Sequence, residues 1–231
     1  VAIGREALNT QNFTSATTVY NVGVGYAAGR AITTGVQNTF IGGLSGDANT
    51  TAANNTAVGY SALVANTTGT GNSALGTFAL DKTTTGSFNT AFGYAALSSD
   101  TLGSKSTALG YGSLVNQNFT SATDTYNTAV GHHAGYAVTT GKNNTFVGGL
   151  AGDATDDGAD NTALGYSALS GNCGSYNTAT GARALAAATG TSNTAIGVDA
   201  LPGSVTGSNN TALGGNAGIS VTGGGNNTHM I

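Results

Sequence analysis

Short words with one polar–apolar pattern recur along the chain. NTAVG at 55–59, NSALG at 72–76, NTAFG at 89–93 and NTALG at 161–165 each run polar, small, large apolar, glycine. With the closing glycine as position 0, the word falls at Gly4, Gly25, Gly42, Gly59, Gly76, Gly93, Gly110, Gly131, Gly148, Gly165, Gly181, Gly197 and Gly214. The steps are 21, 17, 17, 17, 17, 17, 21, 17, 17, 16, 16 and 17 residues. Near-constant spacing over thirteen copies marks a structural repeat, and it changes the meaning of every other residue.

The columns of this repeat assign faces. Position −1 is large and apolar in every word except at Thr180, and position −2 is Ala except at Gly23, Phe40 and Phe146. Position −3 is Thr or Ser except at Val1 and Val22, position +3 is always Ala or Ser, and position +4 is Leu or Gly. Position +2 accepts Glu6, Phe78, His133, Arg183 and Asp199, the variety of a solvent-facing site, so its Ala and Leu neighbours face inward. Period-two alternation in short runs bounded by Gly and Asn predicts strands. Glycine interrupts every potential helical turn. Each coil is predicted to hold two short strands, Thr-Ala-Val-Gly and Ser-Ala-Leu, joined by Gly- and Asn-rich corners.

A coil of seventeen residues cannot stand alone. It buries a few side chains worth roughly 1.5–3 kcal/mol each, against about 1 kcal/mol or more per residue for ordering the backbone. Stacked coils share their apolar faces, so stability belongs to the array. The predicted fold is all-β: a repetitive β-solenoid or β-roll of about thirteen 17-residue coils, on the order of 60 Å long at about 4.8 Å per coil. The small inward residues let backbones approach closely, which suits several chains around one axis. The expected state is a homotrimeric parallel β-roll fibre, with a monomeric solenoid as the alternative.

The array runs through 1–231 without a break, and six coils (4–109) form a super-repeat copied from 110 onward. Its 21-residue steps carry the insert QNFTSAT, at 11–17 and again at 117–123. The chain opens mid-word at Val1 and closes inside another at Asn227-Thr228, as a piece of a longer fibre would. The recurring Asn of the NT words is positioned to stack into a side-chain ladder.

Composition narrows the function. Only 7% of residues are charged, against about 25% in ordinary domains, while 39% are hydrophobic. That balance opposes a solvated disordered chain. Ten acids and six bases are spread thinly, so no basic stripe exists for nucleic acid. No apolar run is long enough for membrane insertion, and the lone Cys173 provides no internal disulfide framework. No catalytic constellation and no cofactor-binding loop is visible, so no enzyme activity and no cofactor is expected.

The words NTAVGYSAL, NTAFGYAAL and NTALGYSAL resemble the shaft repeats of bacteriophage tail fibres. They are also similar to the head repeats of trimeric autotransporter adhesins, which build a trimeric parallel β-roll from a shorter coil. The resemblance implies a structural role in host attachment, in a virion tail fibre or at a cell surface, with self-association into trimers and host-surface polysaccharide as a partner. A bacterial surface adhesin is the close alternative. A monomeric ice- or surface-binding β-solenoid is a third reading, because Thr forms a column along the array.

Three groups of residues are candidates for chemistry. Tyr26, Tyr60, Tyr94, Tyr111 and Tyr166 follow the glycine directly and could offer flat faces to glycan rings, or pack over a corner and stack on neighbouring coils. His132 and His133 could hold a metal or anion about a threefold axis, or be an ordinary surface pair. The loop GDATDDGAD gathers Asp153, Asp156, Asp157 and Asp160, an oxygen-rich set suited to calcium. Its counterparts 106 residues earlier are Asp47, Thr50, Thr51 and Asn54, so the architecture does not require those carboxylates and no resident metal is expected.

Overall fold

The computed structural model describes residues 1–13, 18–203, 205–221 and 229–231. Residues 14–17 of the first insert and the Asn227-Thr228 word lie outside the described residues. The described chain is all-β without a helix, a parallel β-solenoid whose coils recur about every seventeen residues. It forms two compact units, Val1–Tyr111 with Asn118–Asp124, and Gly112–Gln117 with Thr125–Ile231.

In the first unit lie β1 (Ala2–Ile3), β2 (Val22–Val24), β3 (Thr39–Ile41), β4 (Thr56–Val58), β5 (Ser73–Leu75), β6 (Thr90–Phe92), β7 (Gly103–Ser104), β8 (Thr107–Leu109) and β9 (Thr123–Asp124). Strands β1 to β6 and β8 pair in parallel, and β7 pairs with β9 beside them. The second unit holds β10 (Thr128–Val130), β11 (Thr145–Val147), β12 (Thr162–Leu164), β13 (Thr178–Thr180), β14 (Thr194–Ile196), β15 (Thr211–Leu213) and β16 (His229–Met230), paired in parallel in chain order. Each word lies on the next without slip, as in Thr56 on Ser73, Ala57 on Ala74 and Val58 on Leu75.

The marker glycines set this close stacking. Gly76 N donates to Val58 O at 2.8 Å, and Gly93 N to Leu75 O at 2.8 Å. At Gly76 φ is 137°, and an added Cβ would stand 2.4 Å from the carbonyl oxygen of Gly93. Any side chain there would wedge adjacent coils apart and sit in a backbone region that L-residues avoid.

The Ser-Ala-Leu segment, expected as a second strand, is a run of tight turns. Ser45 N bonds Gly42 O, Asp47 N bonds Leu44 O, and Asn49 N bonds Gly46 O, at 3.1–3.3 Å. Positions +2 and +4 are both left-handed: Ser61 has φ 54° and Leu63 has φ 55°. A turn with positive φ at its third residue is of type II. The left-handed state costs a leucine roughly 1–2 kcal/mol, and complete burial of its side chain returns roughly 1.5–3 kcal/mol. Leu63, Leu80, Leu97, Leu169, Leu185 and Leu201 are all 0% exposed, so burial wins. The turns also move the solvent-facing site. Position +2 is half-buried or buried in most coils, as at Ala27 and Ser61, and position +1 carries the exposed side chains instead.

The core is one coil wide. Ala57, Ala62, Ala74, Ala79, Ala91 and Ala96 are buried within the single chain, so the small columns expected at an axis shared among chains are closed over by their own coils. Where Phe replaces Ala at −2, Gly replaces Leu at +4. A Cβ on Gly46 would lie 2.5 Å from the Phe40 ring, and one on Gly29 2.7 Å from it. Gly135 and Gly152 flank Phe146 in the same way, at 3.1 and 2.6 Å. One ring thus fills the space left by two absent leucines, a volume-conserving exchange of the kind cores tolerate best.

The Asn column at −4 is a buried hydrogen-bond ladder. Asn72 Oδ1 accepts from Asn89 N at 3.0 Å, and Asn72 Nδ2 donates to Gly86 O at 2.8 Å. The pattern recurs at Asn38, Asn55, Asn89 and Asn144. Each amide therefore satisfies one backbone donor and one backbone acceptor that burial would otherwise leave unpaired. In the longer coils, Gln11 and Gln117 from the inserts accept from Asn21 and Asn127 at 3.0 and 2.8 Å. In the second insert, Phe119 packs into the interior. The 16-residue step after Gly165 shortens a corner, and Asn161 Nδ2 is left without a partner.

Replacing Asn72 by Ala orphans Asn89 N–H and Gly86 C=O, and should lower stability by about 2–4 kcal/mol. Gly76→Ala should cost about 3 kcal/mol or more, since overpacking and left-handed strain add. Urea unfolding followed by far-UV circular dichroism checks both, and Ala at exposed Thr68, whose backbone is not left-handed, serves as the near-neutral control.

Candidate functional site

Alternation about the buried Ala turns positions −3 and −1 to the same outer face of the strand. The burial of β4, β6 and β14 runs outer, buried, outer over Thr-Ala-Val, Thr-Ala-Phe and Thr-Ala-Ile. Leu75, Phe92, Leu164, Ile196 and Leu213 are thus exposed by 41–52% beside a column of threonines. The strand face of each unit is a double stripe, hydroxyl and methyl next to aliphatic.

The Tyr candidates at +1 border this stripe, each about half exposed. In the first unit they form part of an aromatic run. Tyr60 meets Phe78 edge-on at 5.7 Å, Phe78 meets Tyr94 edge-on at 5.9 Å, and Tyr94 stacks on Tyr111 at 5.4 Å with 10° between planes. Phe78 belongs to the +2 column, and nothing in that varied column marks it as a partner of the tyrosines. Tyr26 lies apart, with the Arg5 guanidinium 5.8 Å from its ring centre. Tyr166 stands in the second unit between coils that place Gly149 and Ala182 at its column. For Tyr60, Tyr94 and Tyr111 these ring contacts run from one coil to the next.

A third exposed column, at −5, escaped the sequence reading because its residue types vary. Tyr20, Phe88, Tyr126 and Tyr176 there are 53–71% exposed, and their backbones are left-handed at φ 47–65°.

The acidic loop does not converge. Asp156 accepts from Thr139 Oγ1, Asp160 accepts from Asn143 Nδ2 at 2.9 Å, and Asp157 points to solvent. Among the described residues no group of three or more His, Cys, Asp or Glu side chains comes together. The His132 and His133 rings pack 4.1 Å apart, with Tyr136 4.7 Å from His133. His132 is exposed and His133 half-buried, the reverse of the expected order, for the turn-geometry reason given above. Burial, and then the neighbouring His132, push the His133 pKa down, with Asp153 opposing.

Three aspartates at +5 are the electrostatic weak points. Asp47, Asp81 and Asp153 each bury one carboxylate oxygen without a hydrogen-bond partner, and burial raises the pKa of each. Arg30, 2.9 Å from Asp47, opposes the shift there; its counterpart in the second unit is Tyr136, so Asp153 lacks that relief.

No protein-family model, no curated protein and no solved structure matches the chain.

The aspartate shifts carry a sign. A carboxyl whose folded pKa lies above its ordinary 3.8 favours the folded state most when protonated, so stability falls as pH rises from below 3.8 through the raised value. Asp81→Asn should therefore raise the melting temperature at pH 7 and flatten its decline as pH rises from below 3.8. Thermal melts of the two proteins across that range test this; an unchanged profile would contradict it.

Proposed function

We propose that the chain is a structural segment of an extracellular attachment fibre of the bacteriophage tail-fibre type. One observation carries the reading: most recurrent columns serve the contact of one coil with the next. Glycine admits the neighbouring carbonyl, asparagine ties adjacent backbones, and alanine and leucine fill the space between. Such a sequence specifies extension, and copying a six-coil block extends it further without redesign. The resemblance of the NTAxG words to tail-fibre shafts supports the same role.

In this reading the fibre is a homotrimer, works in the virion or at a cell surface, and meets host polysaccharide. The half-exposed apolar column at −1 of the first unit, with Leu75 and Phe92, is the surface best suited to self-association, being uncharged.

Antibodies raised against the chain should decorate thin fibres on particles from its source when imaged by negative-stain electron microscopy. Label confined to non-particulate protein would overturn the proposal. Light scattering at several concentrations should give three chains per particle. Phe92→Glu, which sets a charge in the −1 column of the first unit, should reduce the particle to one chain while the circular dichroism spectrum is kept.

A further inference from the structure

The threonines at −3 are not explained by coil stacking. A different Thr column shows what a structural role looks like: Thr33, Thr50, Thr67 and Thr84 each send Oγ1 to a carbonyl of the following coil at 3.0–3.2 Å. The −3 threonines make no such bond. In the second unit, Thr128, Thr145, Thr162, Thr178, Thr194 and Thr211 pair strand to strand in unbroken register. All six are half-buried or exposed, and among the described residues none of their hydroxyls has a protein partner. Packing does not require Thr at this position, since Val22 occupies it in the first unit.

What complements this face must be neutral and periodic. The chain carries sixteen charged side chains (ten acids plus six bases), yet none lies in the −3 or −1 columns. A charged partner would find no counter-charge there. The face repeats one hydroxyl, one methyl and, except at Thr180, one larger apolar side chain at each coil, about 4.8 Å apart along the ladder. That step is close to a lattice repeat of hexagonal ice. Apolar groups restrict the water next to them, and a hydroxyl in each row can anchor that water by a hydrogen bond.

We propose that the Thr–aliphatic strand face of the second unit binds ice, with the threonine hydroxyls anchoring a row of lattice water and the neighbouring methyl and aliphatic groups holding the adjacent rows in place. The ligand is ordered water, and the binding residues are the six threonines together with Val130, Val147, Leu164, Ile196 and Leu213. This activity goes beyond the fibre role and requires that self-association leave the strand face of the second unit uncovered, so it has its own test.

The full chain is assayed for thermal hysteresis and for inhibition of ice recrystallisation. The wild-type chain should slow recrystallisation at micromolar concentration. Thr162→Lys with Thr194→Lys should lower that activity at least tenfold. Thr162→Val with Thr194→Val, which keeps the β-branched shape and removes only the hydroxyls, should lower it severalfold with the circular dichroism spectrum unchanged. Ala187→Lys, at an exposed position on the turn side of the coil, should leave it intact. Ice growth unaffected by the wild-type chain would overturn the proposal, and so would valine variants as active as wild type. A lysine pair that changes only the particle mass would assign the face to a second copy of the chain, which also overturns it.

Discussion

The constraint on which the structure depends is the distance between one coil and the next. Parallel strands must sit about 4.8 Å apart to form their ladder, and at the marker glycine the next coil's carbonyl occupies the space a Cβ would need. A side chain at Gly42, Gly59, Gly76, Gly148 or Gly165, for example, would open the ladder locally. With the distance fixed, the Asn amide can reach its two backbone partners, one on the next coil's Asn and one at the following corner. The alanines can then close on one another without voids. Glycine sets the spacing, and asparagine makes it bonded.

A core this thin tolerates change only in compensated form. Phe40 and Phe146 are accommodated because glycines stand where leucines would otherwise crowd them. The longer coils keep their Asn partners because Gln11 and Gln117 reach in from the inserts. Where no compensation accompanies the change, the defect is visible: the shortened step after Gly165 leaves the Asn161 amide nitrogen unpaired. The +5 aspartates are defects of the same kind, each with a half-buried carboxylate for which the coil provides no second donor.

The outer face follows different rules. Columns turned inward are restricted by volume and hydrogen bonding, and most outward columns drift freely in residue type. The −3 and −1 columns are outward yet restricted, to Thr and to aliphatic residues in nearly every coil. Strand propensity favours such residues, but it does not call for the exclusion of charge from both columns through thirteen words. That restriction is the main residue of information left over once stacking has been accounted for.

The sequence by itself determined the repeat, the parallel one-word-per-coil register, the inward Ala and Leu columns and the Asn ladder. Each of these depends on spacing, on residue size and, for the ladder, on an amide recurring in one column, all readable from Gly59 to Gly76 and onward. Three matters were decided only by the tertiary structure. Ser-Ala-Leu became turns because Leu63 and its equivalents adopt a left-handed backbone, which no propensity favours and only burial repays. The large residues at −1 face outward because alternation about a buried Ala leaves them no inward choice. The small columns close within one chain because tight turns at +2 and +4 fold each coil back over its own alanines, so their size reflects the narrowness of a single coil.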